Sequence, residues 1–158
     1  MPTPTTVLDL NSIDQTTEFA RRFAATFRRG DCLLLEGSIG AGKTHFARSA
    51  IQSLQDVPED VPSPTFTLVQ TYDTRSGELW HADLYRLTSP EEIEELGLTE
   101  AFETAICLVE WPDRLGDMVP EGALRMAFHT HPENDEGRRI VLSGGDKWQD
   151  RLQGLCDA

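Results

Sequence analysis

The chain has 158 residues, of which 39% are hydrophobic and 26% charged, and its formal net charge is −13. This composition predicts one soluble domain over residues 1–158 and disfavours direct binding of DNA or free RNA, because non-specific binding of nucleic acids rests on basic side chains. No apolar run approaches the roughly 20 residues that cross a bilayer, and the N-terminus lacks a signal-peptide pattern, so we expect a cytoplasmic protein without membrane contact.

Strand and helix patterns alternate along the first half of the chain. A strand over 5–10 precedes a helix that Asn11 or Ser12 caps and that runs to about Arg29, with apolar residues on one stripe. The apolar run 31–36 predicts a buried strand. A helix over about 43–54 follows, and the three prolines of 57–64 indicate a loop.

The second half begins with a predicted hairpin of strands 66–72 and 78–85. Ser89 and Pro90 are typical of a helix start. The remaining predicted elements are a buried strand over 105–109, a strand pair 124–128 and 138–142 around the turn 131–137, and a helix over 147–155. The interleaved pattern predicts an α/β domain with a mixed central sheet flanked by helices.

Residues 37–44, GSIGAGKT, match the phosphate-loop pattern G-x-x-x-x-G-K-[ST] at every fixed position, between a predicted strand and a predicted helix. Glycines let successive backbone amides converge on phosphate oxygens, and the start of the helix adds a positive dipole. We therefore expect a P-loop NTPase-like three-layer domain that binds a nucleoside triphosphate, ATP, with Mg²⁺ coordinated by Thr44. The residues assigned to the nucleotide are Ile39, Gly40, Ala41, Gly42, Lys43 and Thr44.

Hydrolysis also needs an acid near the metal, and two residues are candidates. Glu110 ends the apolar strand 105–109, where a carboxylate can bind Mg²⁺ or polarise water; the alternative is a solvated strand end. Asp83 shares a predicted strand face with His81 and Tyr85, and the alternative is an exposed polar face. Thr65 lies after the proline-rich loop, where hydroxyls can approach the γ-phosphate; the alternative is a hydroxyl-rich loop before a strand.

Three other patterns are interpreted without a ligand. The segment 142–146, LSGGD, is similar to the signature loop of transporter ATPases, but it follows Glu110 and is interpreted as a turn. No N-K-x-D segment is present to recognise guanine. His129 and His131 lack a third ligand, and Cys32, Cys107 and Cys156 lack a C-x-x-C pair, so neither group indicates a metal site or disulfide framework.

The motifs GSIGAGKT, SPTFTLVQTY, HADLYRL, EELGL and LVEWPDRL, in this order and spacing, resemble the TsaE (YjeE) family of P-loop ATPases of tRNA threonylcarbamoyladenosine biosynthesis. The match is dense over about 30–115. The resemblance implies an ATPase that works with the TsaB–TsaD complex, in which TsaD modifies adenosine 37 of tRNAs reading codons that start with A. The tRNA is then contacted only indirectly, through the complex.

The resemblance also implies roles for individual residues. Lys43 and Thr44 hold phosphate and Mg²⁺, Thr65 lies in a nucleotide-sensing loop, Asp83 acts near the metal, Glu110 is the metal-linked acid, and Trp111 lies close to the nucleotide or simply packs. The adenine pocket carries no motif; residues 11–14 and the turn near 136–138 are candidate walls. A partner is expected to order the segment near Thr65 and raise a slow basal turnover.

Two competing functions remain open from the sequence. A small-molecule kinase usually clamps the transferred phosphoryl group with several arginines, and the stretch after the acidic strand offers only Arg114. A binding module that never hydrolyses nucleotide is the second alternative, and Asp83 and Glu110 argue against it.

Overall fold

The computed structural model describes residues 5–38, 40–62 and 68–157, and these form a seven-stranded mixed sheet with helices on both faces. The strands are β1 (Thr5–Leu10), β2 (Cys32–Glu36), β3 (Val69–Thr74), β4 (Gly77–Asp83), β5 (Ile106–Glu110), β6 (Leu124–His131) and β7 (Asn134–Ser143). The helices are α1 (Ile13–Ala24), α2 (Lys43–Ser53), α3 (Pro90–Leu96), α4 (Leu98–Thr104) and α5 (Asp146–Asp157), with a 3-10 helix over Pro112–Met118. The predicted α/β fold is confirmed.

The strand order β1-β7-β6-β2-β5-β4-β3 positions the site. Strands β6, β2, β5 and β4 are parallel neighbours, whereas β7, β1 and β3 are added antiparallel at the edges. The carboxyl ends of the four parallel strands therefore meet along one edge, where open α/β sheets bind their ligands. The phosphate loop follows β2 at this edge, and Asp83 and Glu110 end β4 and β5 there.

Two hydrophobic clusters cover the two faces of the sheet. Leu33 and Leu35 of β2 pack with residues of α1, α2 and α5, including the fully buried rings of Phe46 and Trp148. Leu34, between them, packs on the opposite face with residues of α3 and α4. A strand buried on both faces needs a continuous apolar run, which explains the CLLL sequence of β2.

Helix α1 starts as predicted but ends earlier. The Ser12 hydroxyl accepts the N–H of Gln15 at 3.1 Å, which is an N-cap. The helix stops at Ala24 rather than at Arg29, and that boundary of the prediction is wrong. Phe27 continues the apolar spacing from a turn, where its ring still packs against Phe23 with centroids 5.2 Å apart. The chain must leave the helix there to reach β2.

The late hairpin also differs from its prediction. The ladder between β6 and β7 continues to the pair His131–Asn134, so the predicted turn over 131–137 is too long. Helix α3 begins at Pro90 after the cap Ser89, as predicted. A second helix, α4, follows after Gly97, whose φ of 84° separates the two. In the segment 142–146, Leu142 and Ser143 end β7 and Asp146 starts α5, so the connection is confined to Gly144 and Gly145 and is shorter than the predicted turn.

Cys32 and Cys107 are buried and free, and burial raises the pKa of the Cys107 thiol to about 12. The side chain of Cys156 lies outside the described part of the chain. Among the described residues, no helix combines the length and apolar character that a membrane crossing requires.

Candidate nucleotide-binding site

The phosphate loop requires glycine at three positions. Gly37, Gly40 and Gly42 have φ angles of 141°, 84° and 104°, a region that L side chains rarely adopt. A Cβ atom on Gly37 would lie 2.6 Å from the backbone oxygen of Phe128, so this turn also touches β6. Gly42 is the N-cap of α2, whose first backbone amides point toward the loop. Ile39 lies outside the described residues.

Lys43, the first residue of α2, is turned into the loop rather than toward solvent. Its side chain is buried, and Nζ donates to the carbonyl of Gly37 at 2.6 Å. The same ammonium lies 3.9 Å from the centroid of the Trp111 ring, a cation–π contact. Burial lowers the pKa of Lys43, although the carboxylates of Glu110, Asp83 and Asp113 oppose this shift.

The two candidate acids lie opposite each other on neighbouring strands. Asp83 of β4 and Glu110 of β5 are register partners, and both are almost fully buried. The burial therefore excludes a solvated strand end for Glu110 and an exposed polar face for Asp83. The Thr44 hydroxyl donates to the carboxylate of Glu110, at 3.1 and 3.3 Å from its two oxygens. This contact joins the phosphate loop to the acidic strand.

Tyr85 does not share a strand face with Asp83, and that prediction is wrong. Strand β4 ends at Asp83, and Tyr85 lies beyond it with nearly half of its surface exposed. Its backbone N–H donates to Asp83 Oδ1 at 3.0 Å. Its ring packs against Trp111, with centroids 4.8 Å apart. Trp111 itself has a left-handed backbone, with φ 57° and ψ 54°.

His81 is a member of the site that sequence reasoning noticed beside Asp83 but did not assign. It is fully buried, and its Nε2 lies 2.7 Å from Oε2 of Glu110. The spacing of His81 and Asp83 on one strand was the only signal in the sequence, because the partner Glu110 is 29 residues away.

A cavity of about 620 Å³ opens over the phosphate loop and the acids. This volume falls within the range of small-molecule sites. Ile13 lies on one wall, and Glu136 and Arg138 lie on another, so both segments named as candidate walls line the cavity. The guanidinium of Arg138 donates to the carbonyls of Asp135 and Gly137 at 2.8 and 2.7 Å, which holds it beside the loop.

The oxygen ligands at this site fit Mg²⁺, which water and phosphate also coordinate, better than a metal ion whose ligands all come from the protein. Within residues 5–38, 40–62 and 68–157, no group of three His, Cys, Asp or Glu side chains forms a metal site by itself. Mg²⁺ usually takes one or two carboxylates and fills its shell with water and substrate phosphates. Thr44, Glu110 and Asp83 supply such a partial set at the end of the loop. Thr65 lies outside the described residues.

The model of one known protein family matches most of the chain. The family model described as "Threonylcarbamoyl adenosine biosynthesis protein TsaE" matches residues 10–140. The chain belongs to the TsaE family. The matched span includes every residue assigned to the site from the sequence, so the whole constellation lies within the part that the family shares.

Relatives in the family are similar over most of the chain. The tRNA threonylcarbamoyladenosine biosynthesis protein TsaE of Rickettsia bellii is 45% identical over 111 residues, which cover 70% of this chain and 77% of that protein. The protein of the same name from Bacillus subtilis is 34% identical over 145 residues, covering 91% and 87%. The crystal structure of YdiB from Bacillus subtilis superposes with a TM-score of 0.80 at 27% identity, covering 99% of this chain and 97% of YdiB.

Proposed function

We propose that this chain is a Mg²⁺-dependent ATP-binding and ATP-hydrolysing subunit that supports the TsaB–TsaD complex in threonylcarbamoylation of adenosine 37 of tRNAs reading codons that start with A. The observation that carries the proposal is the hydrogen bond from Thr44 to Glu110, which links a complete phosphate loop to a buried acid. Membership of the TsaE family supports the tRNA pathway.

The loop residues provide the binding energy. The amides at the start of α2 and the Lys43 ammonium would hold the phosphate oxygens, which replace the present contact of Lys43 with the Gly37 carbonyl. The amides of Gly40, Ala41 and Gly42 belong to the same turn. Trp111, beside Lys43, bounds the site toward Tyr85.

The acids provide the chemistry. By accepting the Thr44 hydrogen, Glu110 leaves the oxygen lone pairs of that hydroxyl free for a metal ligand role. Asp83, its neighbour across the strand pair, acts near the same point. Mg²⁺, when bound, neutralises charge on the phosphate oxygens. Thr65, in the role that the family resemblance implies, would contact the γ-phosphate, and binding of the partner would raise a slow basal turnover.

A set of three substitutions tests these roles. Lys43→Ala removes the ammonium, and we expect weak ATP binding and no turnover; Lys147→Ala, the other lysine of the chain at the opposite edge of the sheet, is the matched control. Glu110→Ala and Asp83→Ala should keep much of the nucleotide binding and lose hydrolysis. Calorimetry and phosphate release measure the two properties. Near-normal hydrolysis in either acid variant would contradict its role.

The partner is tested separately. A pull-down with TsaB–TsaD in the presence of ATP or ADP should show retention that depends on the nucleotide, and ATP turnover should rise when the complex is added. Equal turnover with and without TsaB–TsaD would argue against the proposed partnership. Phosphate transfer to a small acceptor instead of water would favour a kinase, whose lid arginines are represented here by Arg114, which bonds to the Tyr85 carbonyl.

A further inference from the structure

His81 lies on β4 between the apolar Leu79 and the acid Asp83, which share its face of the sheet. Two residues earlier, on the same face of β4, Leu79 is fully buried. The register partner of His81 on β5 is Leu108, which is also fully buried in that cluster. An imidazole with no exposed surface is an exception to this apolar pattern, and such exceptions concentrate at functional sites.

The ring has one polar contact that accounts for its burial. Nε2 lies 2.7 Å from Oε2 of Glu110. Because an ionised carboxylate only accepts hydrogen bonds, Nε2 carries the hydrogen in this contact. Among the described residues, Nδ1 has no hydrogen-bond partner. If the side chain only filled space, the two buried ring nitrogens would cost free energy without a hydrogen bond in return. A leucine would fill the same space without burying polar atoms.

The contact acts on the carboxylate that meets the phosphate loop. Glu110 has three side-chain torsions, and it is fixed from two sides: by His81 at Oε2 and by Thr44 at both oxygens. Since Thr44 approaches from α2 and His81 from β4, the two contacts together define the plane of the carboxylate. Without His81, the remaining hydroxyl contact allows the carboxylate to rotate.

We infer that His81 is a positioning residue, whose Nε2–H holds the Glu110 carboxylate in the orientation that Thr44 requires for the Mg²⁺-dependent step. The inference rests on the proposed function, because it assigns His81 to the same site. Partners that orient a metal-linked acid typically change metal affinity or activity by about 10- to 100-fold when they are removed.

Two substitutions separate this role from packing. In His81→Gln, the amide nitrogen occupies nearly the place of Nε2 and can still donate to Glu110, whereas in His81→Asn it corresponds to Nδ1 and falls short. We expect His81→Asn to lose about 10- to 100-fold in ATP turnover and His81→Gln to retain most of it. His129→Gln, at an exposed histidine of β6, is the control for replacing a histidine by an amide.

Nucleotide affinity with and without Mg²⁺ gives a second readout. Calorimetry with ATP and EDTA should give equal affinities for wild type and all variants, which shows that the loop is folded. The gain in affinity on adding Mg²⁺ should fall in His81→Asn and persist in His81→Gln. A His81→Asn protein with wild-type turnover and Mg²⁺ gain, or a His81→Gln protein as impaired as His81→Asn, would overturn the inference.

The nucleotide-free protein gives a third readout that does not depend on ATP. The ¹⁵N-edited imidazole spectrum should show His81 protonated at Nε2, and Glu110→Gln should shift this signal. A ring without a proton on Nε2, or a signal indifferent to Glu110→Gln, would overturn the inference. If wild-type protein bound neither ATP nor ADP, the proposed function would fail, and this spectrum would still decide whether His81 holds Glu110.

Discussion

Gly37→Ala is a direct test of the packing between the phosphate loop and β6. The added Cβ would lie 2.6 Å from the Phe128 carbonyl oxygen, so loop or strand must retreat by at least about 0.4 Å to reach the 3.0 Å that real contacts respect. Overpacking of this kind costs about 1–3 kcal/mol, and the φ of 141° adds about 1 kcal/mol or more.

Gly40→Ala is the matched control. It carries the same methyl in the same loop at φ 84°, and its Cβ meets no atom of the described residues within 4 Å. Both variants share the loss of chain entropy in the unfolded state, so the difference between them reports the collision with β6 together with the larger strain of alanine at φ 141°.

Urea unfolding of the nucleotide-free proteins measures this difference. We expect Gly37→Ala to be less stable than Gly40→Ala by about 1–3 kcal/mol. Mg·ATP binding by Gly37→Ala should also weaken by roughly tenfold or more, because a displaced loop no longer presents its backbone amides to the phosphate oxygens. Equal stabilities, within about 0.5 kcal/mol, would refute the close approach between loop and strand.

Three further predictions concern the buried Cys107, the ion pair of Asp31 at the opposite edge of the sheet and the indole of Trp111. The pKa of Cys107 rises from 9.0 to about 12 on folding, so between these pH values the folded state keeps a proton that the unfolded state loses. The free energy of unfolding should therefore fall between pH 9 and 12. Urea unfolding should show a smaller fall in Cys107→Ala than in the wild type. Asp31→Asn, which removes the buried partner of Arg151, should cost about 3 kcal/mol in urea unfolding and leave ATP affinity unchanged. Because a triphosphate draws Lys43 away from Trp111, ATP should change tryptophan emission in wild type but not in Trp111→Phe.

Each of these has a contradicting result. A pH dependence of stability that is identical in Cys107→Ala would exclude that thiol as its source. Loss of ATP affinity in Asp31→Asn would show that the Asp31 ion pair and the nucleotide site are energetically coupled, against the expectation that they are independent. An emission change that survives in Trp111→Phe would assign it to Trp80 or Trp148.

The sequence predicted most of the fold because its strongest signals are local. The CLLL run of β2 is apolar on both faces and is bounded by Gly30 and Gly37, so both ends of the strand are marked in the chain itself. The phosphate loop is equally local, since its conformation depends on glycines whose positive φ angles the structure contains. Neither signal needs knowledge of a distant partner.

The predicted end of α1 and the predicted turn between β6 and β7 were wrong because both depend on tertiary contacts. Phe27 keeps the i, i+4 spacing of α1, yet it reaches the core from a turn, because Asp31 accepts the N–H of Arg28 at 2.9 Å and fixes the chain's approach to β2. The hairpin of β6 and β7 continues through polar residues, since an exposed ladder needs backbone pairing rather than apolar side chains.

The site was predicted residue by residue, but not its connections. Lys43, Thr44 and Glu110 follow from a motif and a strand end, whereas the contact between His81 and Glu110 requires the order of the parallel strands. That β4 lies beside β5 is a property of the sheet, and no pattern within either strand encodes it. The walls near residues 13 and 136–138 likewise come together only through β1 and β7.

The carboxylate that meets Thr44 and the indole that covers Lys43 belong to consecutive residues, Glu110 and Trp111. The left-handed turn at Trp111 starts the 3-10 helix Pro112–Met118, where Asp113 and Arg114 face solvent. Any displacement of this short helix would therefore reach the contacts of both Thr44 and Lys43 through the single peptide unit that joins Glu110 to Trp111.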